Sequence, residues 1–340
     1  MATPSKFQLS LNLLLFLAFN AFSTFSSSSV YSIDQLQYWS KNVLNTMPTS
    51  IASKLSPLSK HDSNYFASFV SSKQRFSFDY AKFCYKARLA CSTTTNQTRQ
   101  TLDNIRYSQI NYGIKAQASD AVVAVPNSFF RLSILRKGYK IRLPNLNSQI
   151  PFRSFLPYQI ASRISITNST DLENFFPNSF ASAATKEAIE TSIRYCTSPG
   201  LKGEVKSCSS SLKEMIQFSK KCLNEKKLVA LTSKSARGSE EELEIQNIKQ
   251  FRAEKVVSCH EIFFPFATYY CHLLSSTRLY AIDFVDPATE APVNRILAIC
   301  HMDTSEWKAE HVAFKILKFS PGHNEACHWF TQMDLVWIAN

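Results

Sequence analysis

The sequence predicts an α+β fold in which short helices come first and antiparallel strands follow. Apolar residues recur at helical spacing in TKEAIETSIRYC, at Ala188, Ile189 and Ile193. They do so again in SLKEMIQFSKKCL, where Leu212, Met215, Ile216 and Phe218 share one side. From Lys255 onward the chain breaks into short runs rich in Phe, Tyr, Val and Ile, separated by turn residues such as Asp286-Pro287 and Pro321-Gly322. Helices grouped ahead of strands are the pattern of an α+β domain, not of an alternating parallel sheet. At 340 residues and 45% hydrophobic content, the chain can bury a large core.

Residues 1–27 contain one lysine, Lys6, an apolar run from Leu11 to about Phe22, and then small polar residues. That is the pattern of a secretory signal peptide, with cleavage expected between Ala21 and Ser29. The apolar run of roughly a dozen residues is too short to span a bilayer, and no later segment approaches that length. Residues 28–125 read as a leader and a loosely ordered linker. Within them, DQLQYWSKNVLN (Asp34 to Asn45) is expected to be a short helix, and a polar, poorly periodic stretch runs on to about Ser72. Cys84 and Cys91 lie seven apart in FCYKARLAC, a plausible local disulfide. Residues 92–125 are rich in Thr, Asn, Gln and Ser with little hydrophobic periodicity. The character changes near residue 126, and the main domain is expected over 126–340. It opens with SFFRLSILRKGYKIRLP, which alternates apolar and polar residues as an extended segment does. The two helices, a polar run at EEELE and the strand-like runs follow.

Several function classes fall away on composition. Only six glycines are present, and neither GxGxxG nor GxxxxGK[ST] occurs, so the phosphate-cradling fingerprints are absent. The formal charge is +12, and losing the signal removes only Lys6. For an exported protein such a surface suits an anionic polysaccharide or a membrane surface through salt-sensitive attraction, and not nucleic acid. The sequons at Asn96 and Asn168 fit an exported glycoprotein. Export also means that thiols pair rather than persist as zinc thiolates, and the cysteine count of nine leaves at least one over.

The motif that carries chemistry is the Cys-His dipeptide. It occurs at Cys259-His260, Cys271-His272, Cys300-His301 and Cys327-His328, using four of the nine cysteines and four of the seven histidines. Neighbouring side chains on a strand point to opposite faces, so each pair on an extended segment sends its Cys one way and its His the other. The cysteines can then staple strands while the imidazoles form a cluster. A His-rich, thiolate-free cluster suits copper(II) or zinc, and the Irving–Williams order favours copper. Asp283, Asp286 and Asp303 are candidate orienting acceptors for the imidazoles. The plainer alternative is four structural cysteines with histidines packed beside them. Asp283 and Asp286 read as surface carboxylates and not as a glycosidase acid–base pair. A thiol protease is not expected either, since only a free thiolate attacks.

The spacing CH-x10-CH-x27-CH-x25-CH, together with SFFR at 128–131, FRSFLP at 152–157, HVAF at 311–314 and the terminal CHWFTQMDLVW, resembles the signature of plant BURP-domain proteins over nearly all of 126–340. YSIDQLQYWSKNV and FCYKARLAC are similar to the branch containing the noncatalytic β-subunit of polygalacturonase. The long Phe-x-x-Tyr array of that branch is missing, with INYGIKAQ as one degenerate remnant, and no repeated core peptide is present. The resemblance implies a disulfide-stapled α+β BURP domain of a secreted protein in the apoplast or cell wall. Its expected role is non-hydrolytic association with pectin, another anionic wall polysaccharide or polygalacturonase. The alternative that it implies is a copper-dependent oxidative cyclase that cross-links Tyr or Trp side chains in a peptide substrate. Carried over by motif, His260, His272, His301 and His328 are the copper ligands, with His311 a lesser candidate and His61 and His323 left out. The implied pairings are Cys84–Cys91, Cys196–Cys208 and two bridges among Cys259, Cys271, Cys300 and Cys327. Which way the last four connect stays open, and Cys222 is left unpaired.

Overall fold

The computed structural model describes residues 30–72, 80–91, 125–147 and 150–340. The expected signal peptide, the sequon at Asn96 and nearly all of the expected linker lie outside the described residues.

The strands form two antiparallel sheets. One contains β1 (Phe129–Phe130), β2 (Lys140–Arg142), β5 (Glu242–Gln250), β8 (Thr277–Val285), β9 (Pro292–His301) and β10 (Ala326–Trp329), in the order β1-β10-β9-β8-β5-β2. The other contains β3 (Val205–Ser209), β4 (Val229–Leu231), β6 (Val256–Ile262), β7 (Thr268–Leu273) and β11 (Leu335–Ile338), in the order β3-β7-β6-β11-β4. The sheets pack face to face through one apolar cluster: Val256, Val336 and Ile338 from the five-stranded sheet meet Leu279, Ala281, Leu297 and Ile299 from the six-stranded one. Period-two alternation sends the odd and even partners of these residues outward. Val257, Cys259, Cys271 and Trp337 lie on the outer face of one sheet, and Ile282, Ile296, Ala298, Cys300 and Cys327 on that of the other.

Helices cover the outer face of the five-stranded sheet. Trp39 of α1 (Val30–Asn42) and Val43 just after it pack there with Ile51 of α2 (Thr49–Ala52). A further cluster joins Phe66 and Val70 of α3 (Lys60–Ser71) and Phe83 of α4 (Tyr80–Lys86) to Ile160 of α5 (Tyr158–Ala161). Leu172 and Phe175 of α6 (Ser169–Phe175), Phe180 of α7 (Pro177–Phe180) and Ile189 of α8 (Ala183–Thr197) join it, as does the Phe263, Phe264 and Phe266 turn between β6 and β7. Helix α9 (Leu212–Leu223) buries Leu212, Met215 and Ile216 against the sheet, as its amphipathic pattern predicts. It starts at a capping box, in which Ser211 accepts from the Glu214 amide and the Glu214 carboxylate accepts from the Ser211 amide. A last helix, α10 (Val312–Leu317), sits between β9 and β10. No helix among the described residues is long and apolar enough to cross a membrane.

Two local expectations need correction. The stretch before Ser72 is not unstructured: α3 buries Ser63, Phe66, Ala67 and Val70, an i, i+3, i+4, i+7 face. Its start signal is Ser59, whose hydroxyl accepts from the Asp62 amide. The face hid because a serine holds one of its four positions. Nor is 128–144 one extended segment. Strands β1 and β2 are short and separated by a 3-10 turn at Leu132–Ile134 and by Gly138, whose φ of +81° suits a residue without Cβ.

A buried charge cluster ties the leader to the sheets. The Lys54 ammonium donates to Glu261 Oε1 at 2.7 Å, and Arg153 Nη1 lies 2.9 Å from the same oxygen. Arg153 also donates to the carbonyls of Ile262, Phe266 and Pro151, bracing the turn between β6 and β7.

Candidate metal centre

Cross-strand register explains how each Cys-His pair divides. In β6 and β7, Cys259 stands directly opposite Cys271; in β9 and β10, Cys300 stands opposite Cys327. Both couples form disulfides across adjacent strands, with Cα atoms 4.0 Å apart in each. Each histidine follows its cysteine by one residue and so faces the other way, into the space between the sheets. Each sheet therefore contributes one disulfide on its outer face and two imidazoles on its inner face. Cys84–Cys91 and Cys196–Cys208 are also bridged, and Cys222 is free.

The four inner histidines close a ring. Their ring centres are 5.5 Å apart for His260–His272, 6.3 Å for His272–His301, 5.6 Å for His301–His328 and 5.6 Å for His328–His260. Aromatic walls hold them: Phe330 stacks on His260, Tyr270 packs on His272, and Trp307 packs edge-on against His301. Burial pushes His260, His301 and His328 below the ordinary imidazole range, His328 to about 3, and neighbouring imidazoles push the same way. These three rings are therefore neutral at pH 7, with lone pairs available.

Hydrogen bonding sets which nitrogen holds the lone pair. Each Nδ1 faces an oxygen: Glu204 Oε1 at 2.9 Å from His272, Trp329 O at 3.3 Å from His328, Thr277 Oγ1 at 3.4 Å from His301, and Asp334 Oδ1 at 3.5 Å from His260. Carboxylates and a carbonyl only accept, and the Thr277 hydroxyl already donates to Leu274 O. The three hydrogen bonds thus favour the proton on Nδ1 at His272, His301 and His328 and leave the lone pair on Nε2, while the longer His260–Asp334 approach is an ion-pair distance. This is the arrangement that ligating histidines require.

An ion held tetrahedrally at about 2 Å by four ring nitrogens spaces the ring centres roughly 5 Å apart, so this ring is wider by roughly 0.5 to 1.3 Å. Accordingly, among the described residues no group of three or more His, Cys, Asp or Glu side chains is drawn together tightly enough to hold an ion as it stands. Four imidazoles are a donor set of the kind that suits a borderline cation, copper(II) or zinc.

His311 is different. Its Nδ1 accepts from the Ala313 amide at 3.2 Å as the cap of α10, so its proton resides on Nε2. Burial lowers it to about 4. It is a half-buried neutral cap, tilted against Trp307 with ring centres 4.3 Å apart, and not a fifth donor. His61 and His323 lie outside the cluster, on exposed or part-exposed surface.

The expected orienting carboxylates are not the ones used. Asp283 pairs with Arg295, Asp286 accepts from the Ala288 and Thr289 amides, and Asp303 accepts from the Ser305 amide. The carboxylates that reach imidazoles are Glu204 and Asp334, which no local pattern singled out. Burial alone would raise the Glu204 carboxyl, but its hydrogen bond and attraction to His272, with bonds from Leu201 and Tyr270, bring it down to about 2. At the Asn168 sequon the side-chain oxygen caps α6, accepting from the Thr170 and Asp171 amides; the nitrogen that a glycan would occupy is not the atom used.

The BURP domain family matches residues 128–339, which hold both sheets and the whole histidine ring. The chain belongs to the BURP domain family. It is 30% identical over 314 residues to BURP domain-containing protein 16 of Oryza sativa subsp. japonica, covering 89% of this chain and 88% of that protein. It is 35% identical over 252 residues to Polygalacturonase 1 beta-like protein 1 of Arabidopsis thaliana, covering 72% of this chain and 40% of that one. Polygalacturonase non-catalytic subunit AroGP3 of Solanum lycopersicum is 34% identical over 247 residues, 71% of this chain and 38% of its own length. The chain thus spans about two fifths of the polygalacturonase-related proteins that it matches.

Proposed function

We propose that the chain is a secreted, non-hydrolytic protein of the cell wall that associates with polygalacturonase or its pectic substrate, and that its BURP domain binds copper. The similarity to proteins named polygalacturonase non-catalytic subunits carries the first part. Four disulfides among the described residues support an oxidising compartment. The charge of +12 supports attraction to a polyuronate. Asp283 and Asp286, the carboxylates weighed for hydrolysis, are engaged in an ion pair and a turn. The metal part rests on the four imidazoles whose Nδ1 atoms all face acceptors. His260, His272, His301 and His328 would hold the ion, and Glu204 and Asp334 would orient two of them.

The same donor set favours a second reading, oxidative cross-linking of Tyr or Trp side chains in a peptide substrate. A bound copper ion supplies one-electron oxidation with dioxygen as the acceptor. The protein's own part is to hold four imidazoles between two stapled sheets and to wall them with Phe330, Tyr270 and Trp307.

One experiment separates the readings. Protein secreted from a copper-supplemented host is assayed for metal, for retention on immobilised polygalacturonate against salt, and for mass loss in Tyr- and Trp-containing peptides with and without oxygen. Salt-sensitive retention with unchanged peptides supports the wall reading. Oxygen-dependent loss of about two mass units supports the cyclase. Protein that elutes at low salt and takes up no copper removes both.

A further inference from the structure

Of the four oxygens that face the ring's Nδ1 atoms, Glu204 makes the closest contact, and the sequence offers no sign of it. The residue lies between α8 and β3, in the loop that Cys196–Cys208 closes. That loop is internally tied: the Glu204 amide donates to Leu201 O at 2.9 Å, and the Leu201 amide donates to Glu204 Oε2 at 2.8 Å. The other oxygen, Oε1, takes the Tyr270 hydroxyl at 2.8 Å and His272 Nδ1 at 2.9 Å. Strand pairing supports the approach, since β3 runs antiparallel to β7 with Lys206 opposite His272. The carboxylate is 6% exposed and the imidazole 13%, so little water competes for either.

We propose that Glu204, delivered by the disulfide-closed 196–208 loop, is the positioning residue that holds His272 as the Nδ1–H tautomer with Nε2 turned to the histidine ring, and so strengthens metal binding there. The inference rests on the metal-binding part of the function proposed above. A carboxylate has no proton to donate at neutral pH, so a 2.9 Å contact requires the proton on Nδ1. His272 also occupies the widest side of the ring, at 6.3 Å from His301, where free ring rotation would most easily turn Nε2 away. The other three acceptors are longer and two of them are uncharged, so the loss of Glu204 has the largest effect among them.

The test has a metal-free arm and a metal arm. In ion-free protein labelled with 15N-histidine, long-range 15N–1H correlations report the His272 tautomer. Wild type is expected as Nδ1–H, and Glu204→Ala as a mixture or as Nε2–H. Wild type found as Nε2–H overturns the proposal without any variant. In the metal arm, Cu(II) alone is titrated and followed by calorimetry and by EPR. Glu204→Ala is expected to weaken binding about 10- to 100-fold and to alter the nitrogen hyperfine pattern, as loss of such outer partners does. Glu204→Gln keeps an acceptor oxygen and is expected to recover most of the affinity, which a merely structural residue would not distinguish in this way. If Glu204→Ala binds Cu(II) as wild type does while His272→Ala does not, the proposal falls and the metal reading survives. If wild type takes up no Cu(II), both fall.

Discussion

Replacing Glu261 with Gln tests whether the buried charge cluster braces the hairpin that carries His260 and His272. The substitution keeps shape and removes the one negative charge between the Lys54 ammonium and the Arg153 guanidinium. Their side chains are 1% and 0% exposed, and that of Glu261 is 4%, so water cannot replace the lost partner. Breaking a buried pair from one side costs about 3–5 kcal/mol. Lys54 sets the ceiling. Burial already lowers its pKa, with Glu261 pulling the other way, so it can shed its proton once the carboxylate is gone. Neutralising a lysine of ordinary pKa at pH 7 costs roughly 4.6 kcal/mol, at about 1.4 per unit, which falls in the same range. Lys54→Met leaves the Arg153–Glu261 pair in place and is expected to cost less. Asp283→Asn breaks a pair in which Arg295 is 48% exposed, and is expected to cost under about 1 kcal/mol. The assay is equilibrium urea unfolding under non-reducing conditions, read by tryptophan fluorescence. A Glu261→Gln loss no larger than that of Asp283→Asn would refute the reasoning.

Alanine at His260, His272, His301 or His328 is expected to abolish bound copper by elemental analysis while leaving four disulfides in non-reducing peptide maps. His311→Ala should keep the metal and lose about 1 kcal/mol as a helix cap does; metal loss on His311→Ala would restore it as a donor. Peptide mapping should recover Cys259–Cys271 and Cys300–Cys327, and any bridge to Cys222 contradicts the cross-strand staples. Metal-free protein should lose stability in acid. Burial first, and neighbouring imidazoles for the ring members, hold His260, His301, His311 and His328 below their unfolded value of ~6.5, so their neutral forms favour the fold above that pH. As pH falls below ~6.5 the unfolded chain takes up protons that the fold refuses, at about 1.4 kcal/mol per unit per group, until about 4 for His311 and about 3 for His328. A urea midpoint that is flat from pH 7 to 4.5 would contradict buried neutral imidazoles.

The sequence by itself determined what depends on near neighbours. Adjacent Cys and His part to opposite faces because strand side chains alternate, and the helical spacing of Leu212, Met215 and Ile216 made α9 legible. Helix α3 escaped because its buried face includes Ser63 and is completed by tertiary contacts with Phe83 and Phe176. Only the tertiary structure decided how the four Cys-His cysteines pair, since register alone places Cys259 opposite Cys271 and Cys300 opposite Cys327. It also decided which carboxylates reach the imidazoles. Asp283, Asp286 and Asp303 are near the motifs in sequence but are taken by an adjacent strand or by their own turns. Glu204 and Asp334 are 68 and 73 residues from the groups they meet, His272 and the Glu261 amide beside His260. Alternation is a property of the local backbone and is written into a run of residues. A hydrogen bond between distant segments depends on strand register and loop closure, which the whole core fixes together.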